Sequence, residues 1–199
     1  IGSFFCHIGD FSRSEYFLQE AISLHPKDLF LLSQLGYLYI RSGQYDKLTD
    51  FALQLETTSK EHFPNNYSYL VWKATAYLYS GKYSEGLAMC EEYLKHKDVD
   101  AIFSIYTLLL AKNGFRKKAE KLWRELIDNN LREENPDNSM VARCYAMLGN
   151  KEKALTYFEK IEFSHTNSQL NPDFYSRDLM LETIWNEPRF VNRIQQERD

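Results

Sequence analysis

All eight glycines of this chain keep one rhythm with a period near 34 residues. Gly2 and Gly9 stand seven apart, and Gly36 and Gly43 repeat that pair 34 positions later. Gly81, Gly114 and Gly149 continue at intervals of 38, 33 and 35, with Gly86 five residues after Gly81. Self-similarity at this period is the mark of an array of helix pairs, in which no unit buries its apolar face alone and each closes on its neighbours. A domain count taken from a length of 199 residues therefore has little meaning.

The segment from Leu29 to Thr58 shows the unit most clearly. Leu32, Leu35, Gly36 and Tyr39 recur at i, i+3, i+4 and i+7, which puts them on one face of a helix. Gly43 is placed to end that helix, because a residue without a Cβ takes a positive φ at little cost. A second helix opens at Gln44, with Leu48, Phe51, Ala52 and Leu55 as its apolar stripe. Gly36 lets the paired helices approach, and Tyr39 is expected to fill the space beside it. The same grammar runs through the chain. The small residue of the first helix is Gly2, Gly36, Ala74, Thr107 and Ala142 in turn, and the bulky residue three later is Phe5, Tyr39, Tyr77, Leu110 and Tyr145. The helix-ending glycines are Gly9, Gly43, Gly81, Gly114 and Gly149; the second helix meets the first at Ser14, Leu48, Gly86, Ala119 and Ala154. Leu48 alone is large there, which predicts a wider helix pair in that unit. Between Leu55 and Tyr67 the spacing stretches by four residues. A longer second helix ending before Pro64 accounts for this; a ligand-contacting loop is the alternative.

The segments QLGYLYIRSGQYDKL, KATAYLYSGKYSEGL and VARCYAMLGNKEKALTYF resemble the tetratricopeptide repeat, whose pattern is W-x2-L-G-x2-Y, A-x3-F and a closing P. The resemblance spans residues 1–162; the closing proline is present only as Pro26, and Leu32, Leu70, Phe103 and Asn138 replace the leading tryptophan. It implies an all-α fold, a solenoid of antiparallel helix pairs wound into a right-handed superhelix. The repeats would be 1–28 (truncated), 29–66 (with the insertion), 67–99, 100–134 and 135–162, followed by a linker and capping segment at 163–199. In that last stretch periodicity lapses from Phe163 to Asn171 and resumes with Pro172 and Pro188 near helix starts. Leu179, Ile184, Trp185, Phe190 and Ile194 supply apolar surface for a cap, which arrays of this kind need at their open edges. NPDF (171–174) and NEPRF (186–190) are also similar to the ends of tetratricopeptide regions in bacterial regulators and cyclases. That likeness implies a bacterial source and an output domain upstream. The register places Ile1 inside a helix, as expected of a piece of a longer protein.

Composition argues against several functions. A net charge of −4 and a pI near 5.8 do not suit a general nucleic-acid binder. No run of 18 apolar residues is present to span a membrane. His7, His25, His62, His96 and His165 are dispersed, and no HExxH, phosphate-binding glycine loop or nucleophile elbow occurs. The expectation is a non-enzymatic chain with no catalytic, cofactor or metal residues. Cys6, Cys90 and Cys144 form no CxxC pair and read as reduced core thiols, fitting a cytoplasmic location. Lys117, Lys121 and Arg124 form a basic stripe at i, i+4 and i+7, and interleaved Glu120 and Glu125 make it a solvated outer face.

In the tetratricopeptide family the first helix of each unit lines a groove that takes peptides. Carried over by register, the lining residues are Ser33, Tyr37, Ile40 and Arg41; Val71, Thr75, Leu78 and Tyr79; Ser104, Leu108 and Lys112; and Ser139, Arg143 and Met147. Arg41, Lys112 and Arg143 are the only charges among them, implying a protein or peptide partner with acidic groups or a terminal carboxylate. The carboxylate clamp of chaperone-tail binders has no counterpart: its places hold Ser33, Tyr37, Trp72, Ala101 and Ile105 in one register, and Val71, Thr75, Ile105, Pro136 and Met140 in the next. The expected function is a protein- or peptide-binding scaffold, with a sensory or oligomerisation region of a larger bacterial regulator or cyclase as the alternative. Phe17, Leu18 and Ile22 are expected on an open face that would support a homodimer through the N-terminal end.

Overall fold

The computed structural model describes residues 1–7, 9–63, 66–99, 102–163, 172–176 and 178–197. Among them the chain is an all-α helical repeat without strands, and helices pack against their neighbours in chain order. It divides into two compact units, Ile1–Leu109 and Leu110–Asp199, so the division falls inside the fourth expected repeat. The first unit holds α1 (Gly2–His7), α2 (Phe11–Leu24), α3 (Leu29–Ser42), α4 (Tyr45–His62), α5 (Ser68–Tyr79), α6 (Tyr83–Tyr93) and most of α7 (Phe103–Lys112). The second holds the end of α7, α8 (Arg116–Asn130), α9 (Asn138–Met147), α10 (Lys151–Phe158), α11 (Pro172–Tyr175), a 3-10 segment (Leu179–Ile184) and α12 (Pro188–Gln196).

One backbone motif builds every hairpin corner. Gly9, Gly43, Gly81, Gly114 and Gly149 have φ of 78, 72, 74, 84 and 78°, the left-handed region that side chains disfavour. The residue after each glycine donates its N–H to the carbonyl five residues back: Asp10 to Phe5, Gln44 to Tyr39, Lys82 to Tyr77, Phe115 to Leu110 and Asn150 to Tyr145, at 2.8–2.9 Å. The glycine N–H bonds three residues back, completing a Schellman motif. The acceptor of the longer bond is in every case the bulky residue of the repeat, and the donor is also the N-cap of the next helix. The glycine and the residue after it thus stop one helix, start the next and fix their register.

The two helices of a pair are buried differently. The first helices α3, α5, α7 and α9 carry one charged residue each (Arg41, Lys73, Lys112, Arg143). In α3, Leu32, Leu35, Gly36, Leu38, Tyr39 and Ile40 are all buried, more than a single stripe. The second helices are charge-rich and bury one stripe: Leu48, Phe51, Ala52, Leu55 and Ser59 in α4; Ala119, Trp123 and Ile127 in α8. A helix apolar on most sides belongs inside a stack, and an amphipathic one on its outside.

Close packing in the first unit centres on Gly36. A Cβ there would lie 2.5 Å from the Trp72 ring and 2.8 Å from Phe51. The space is therefore filled by Trp72 of α5 and Phe51 of α4, whose rings meet edge-on at 5.4 Å, and not by Tyr39, which turns toward α2. The extra residues after Leu55 lengthen α4, which ends at His62; Pro64 and Asn65 lie outside the described residues. Leu18, expected on an open N-terminal face, is instead buried beneath Gly2.

The second unit is closed by the tail. Ala142, Ala146, Ala154, Leu155, Phe158, Tyr175, Leu181, Ile184, Phe190 and Ile194 form one buried cluster. Pro188 opens α12, where its missing N–H costs nothing, and Phe190 stacks on Phe158 at 4.5 Å. Arg189 binds both Glu159 oxygens at 2.7 Å and Glu152 at 2.9 Å. The described part of the NEPRF segment is thus docking machinery. Residues 164–171, with His165 and Asn171, lie outside the described residues.

Candidate functional site

Arg41, Lys112 and Arg143 are the expected contacts for an acidic ligand, and the structure gives each a different setting. Arg41, in the last turn of α3, is part-buried and donates from Nη1 to Cys6 Sγ at 3.4 Å. Lys73, absent from the expected lining, sits 2.8 Å from Glu56 of α4, which also holds Lys60 at 2.7 Å. Those two hydrogen bonds, first from Lys60 and then from Lys73, keep the Glu56 carboxyl below the usual carboxylate range. Lys112 is exposed at the end of α7.

Arg143 differs most from expectation. It is 8% exposed, and its Nε lies 2.5 Å from Asp178 Oδ2. Its Nη1 bonds Ser139 Oγ, and its Cζ stands 5.2 Å from the Tyr175 ring centroid. Burial works against the charged guanidinium, yet Asp178 outweighs it and the pKa is raised. Asp178 also caps the 3-10 segment by accepting from Met180 N at 3.0 Å. Arg143 and Ser139 therefore do not form an open lining for an outside ligand: the tail of the chain occupies them. The physical reason is that a charge on a helix buried nearly all round needs an internal counter-charge.

Ile40, Thr75, Leu78 and Leu108 are likewise buried, packing residues more than lining. Thr75 Oγ1 donates back to Val71 O at 2.8 Å. What stays part-exposed in the first unit is Ser33, Tyr37 and Arg41 on α3, Val71 and Tyr79 on α5, and Ser104 on α7. Tyr37 meets Trp72 edge-on at 5.2 Å, and Tyr79 stacks on Tyr45 at 5.1 Å. These rings are held by neighbours while part of each faces outward, an arrangement that presents rigid amphipathic area. In the second unit Met147 is part-exposed. Of the clamp positions, Trp72 is the wedge over Gly36, and Ala101 lies outside the described residues.

Among the described residues no group of three or more His, Cys, Asp or Glu is placed to hold a metal ion. His96 stacks on Tyr67 at 4.0 Å. Burial pushes the Cys90 and Cys144 thiols up to about 12, so neither is a ready nucleophile. Lys117, Lys121 and Arg124 are exposed on α8, where Lys121 pairs with Glu125 at 3.6 Å and Arg116 with Glu120 at 2.9 Å. This is the solvated, ion-paired face that the interleaved charges implied. Two important partners, Asp178 and Tyr175, were not singled out in the sequence. Asp before the apolar run LMLETI is a readable cap signal, but its pairing with Arg143 spans 35 residues and has no local signature.

Among known proteins, no family model matches the chain and no curated protein matches it. No helix among the described residues is long and apolar enough to cross a membrane.

Proposed function

We propose that the chain is a tetratricopeptide-type scaffold, not an enzyme, that binds a protein or peptide segment against the first-helix face of its first unit. The observation that carries this reading is the strip formed by Ser33, Tyr37, Arg41, Val71 and Tyr79. It combines part-exposed aromatic and small polar side chains on two helices with one charge each. Tyrosines fixed by neighbours lose little entropy when covered, which favours them as contact residues. Arg41 is the part-exposed cation on this strip, and one acidic group in the ligand suits it. A reducing, cytoplasmic setting belongs to the same reading, since Cys6, Cys90 and Cys144 are buried thiols outside any disulfide. A bacterial source rests only on the tail likeness, whose described part already has a packing role, so that likeness adds no weight to a regulator or cyclase.

The test is selection of displayed peptides on the intact chain, followed by affinity measurement on Tyr37→Ala and Arg41→Glu. Loss of about tenfold or more in affinity for each variant is expected, the effect of removing a central contact. Selected peptides that bind both variants as tightly as the parent would refute the site, and failure to select any would refute the function.

A further inference from the structure

The geometry points to a specific occupant for the strip on α3 and α5: a partner segment in the polyproline II conformation, with two prolines three residues apart and an acidic residue between them. This rests on the scaffold reading above and narrows it to one ligand chemistry.

The strip carries two aromatic rungs. On the first, Tyr37 of α3 meets Trp72 of α5 edge-on at 5.2 Å, and Phe51 backs Trp72 at 5.4 Å. On the second, Tyr79 at the end of α5 stacks on Tyr45 at the start of α4, with centroids 5.1 Å apart and planes at 23°. Tyr37, Trp72, Tyr45 and Tyr79 are all part-exposed. Trp72 and Tyr79 are seven residues apart, which sets them on one face of α5 and about 10.5 Å apart along its axis. A polyproline II helix repeats every three residues, or about 9.3 Å. Residues i and i+3 of such a segment therefore reach both rungs.

Other conformations fit less well. Side chains on one face of a β-strand recur at about 6.8 Å and then about 13.6 Å, on either side of the rung spacing. An α-helix could match it with i and i+7, but its i+3 and i+4 side chains would then press between the rungs. Thr75 lies there, 7% exposed, with its hydroxyl already donating to Val71 O at 2.8 Å. Proline also suits the rungs themselves, because its conformation is set before binding and little order is lost on docking. A polyproline II backbone makes no internal hydrogen bonds, and each of the four rung residues has a side-chain donor for its carbonyls.

Charge selects the residue between the prolines. Arg41 follows Tyr37 by four residues, one turn along the same face of α3. Its Nη1 donates to Cys6 Sγ at 3.4 Å, and sulfur is a weak acceptor that a carboxylate surpasses.

The probe is a fluorescein-labelled GPPDPPG peptide titrated into the intact chain and followed by anisotropy. Saturable binding is expected, weakened about tenfold or more by Tyr79→Ala in the chain. Alanine in place of the peptide's prolines, or asparagine in place of its aspartate, should weaken it as much, and these two changes leave the folding of the chain untouched. Arg41→Glu should reverse the preference, favouring a peptide with lysine in place of the aspartate. No binding of GPPDPPG, or binding indifferent to the prolines, the aspartate or Tyr79, overturns the proposal. The scaffold reading fails separately: displayed peptides that need Tyr37 and Arg41 but lack the proline spacing would keep the site and overturn this occupant.

Discussion

At the last helix pair Phe158 is fully buried beneath Phe190 and Tyr175, whereas at the first pair Phe4 stands 62% exposed on a helix built by the same corner motif. The cations differ in the same way. Arg143 is sealed against Asp178, while Arg13 lies over a ring with most of its surface in water. Neither contrast follows from residue type, since both ends offer Phe and Arg. In a stack where each pair touches only its neighbours, what is packed beyond a residue decides its burial. The tail supplies that layer at one end; at the other the described residues supply none.

Truncation separates the ends most widely. Phe158→Ala should cost about 3–5 kcal/mol, the range for emptying a packed aromatic site, and Phe4→Ala should stay within about 0.5 kcal/mol. Denaturant melts of the two variants measure the gap, and equal losses would break the comparison. Next in size, Asp178→Ala should cost about 3 kcal/mol because it strands a buried guanidinium. Adding Arg143→Met should recover most of that loss, since the buried charge is then gone as well; a double variant no more stable than the single one would show the pair matters mainly for shape.

The smallest effect is on the acid side. The hydrogen bonds from Arg189 hold Glu159 below the usual carboxylate range. The unfolded chain therefore takes up this proton at a higher pH than the folded one. The contribution is whole above the ordinary glutamate value of about 4.3 and fades as pH falls through the lower folded value. Melting temperatures of the parent and Glu159→Gln should differ at pH 6 and converge toward pH 3. A difference that persists at low pH would mean the Arg189 contacts act through packing instead.

The hairpin register was readable from sequence to the residue, because glycine at positive φ is a local requirement with a local signature. The apolar stripes were legible for the same reason, as was the cap, through Pro188 and the apolar tail residues. The lining was legible only in part. Helical register says which way a residue points but not what lies there, so Arg143 and Ser139 were expected to be open when the tail covers them. Tyr39 was expected beside Gly36, where a tryptophan 36 residues further on fills the gap. Each of these depends on contacts distant in sequence, about which periodicity is silent.

The wedge of Trp72 over Gly36 also makes the chain its own optical probe. The other two tryptophans, Trp123 and Trp185, belong to the second unit. With those two replaced by phenylalanine, indole emission reports only the first unit, from a ring clamped between Tyr37 and Phe51. Replacing Trp72 instead leaves emission from the other unit alone. Comparing the two emission traces through one denaturant series then reveals whether the units melt as one cooperative body or in sequence.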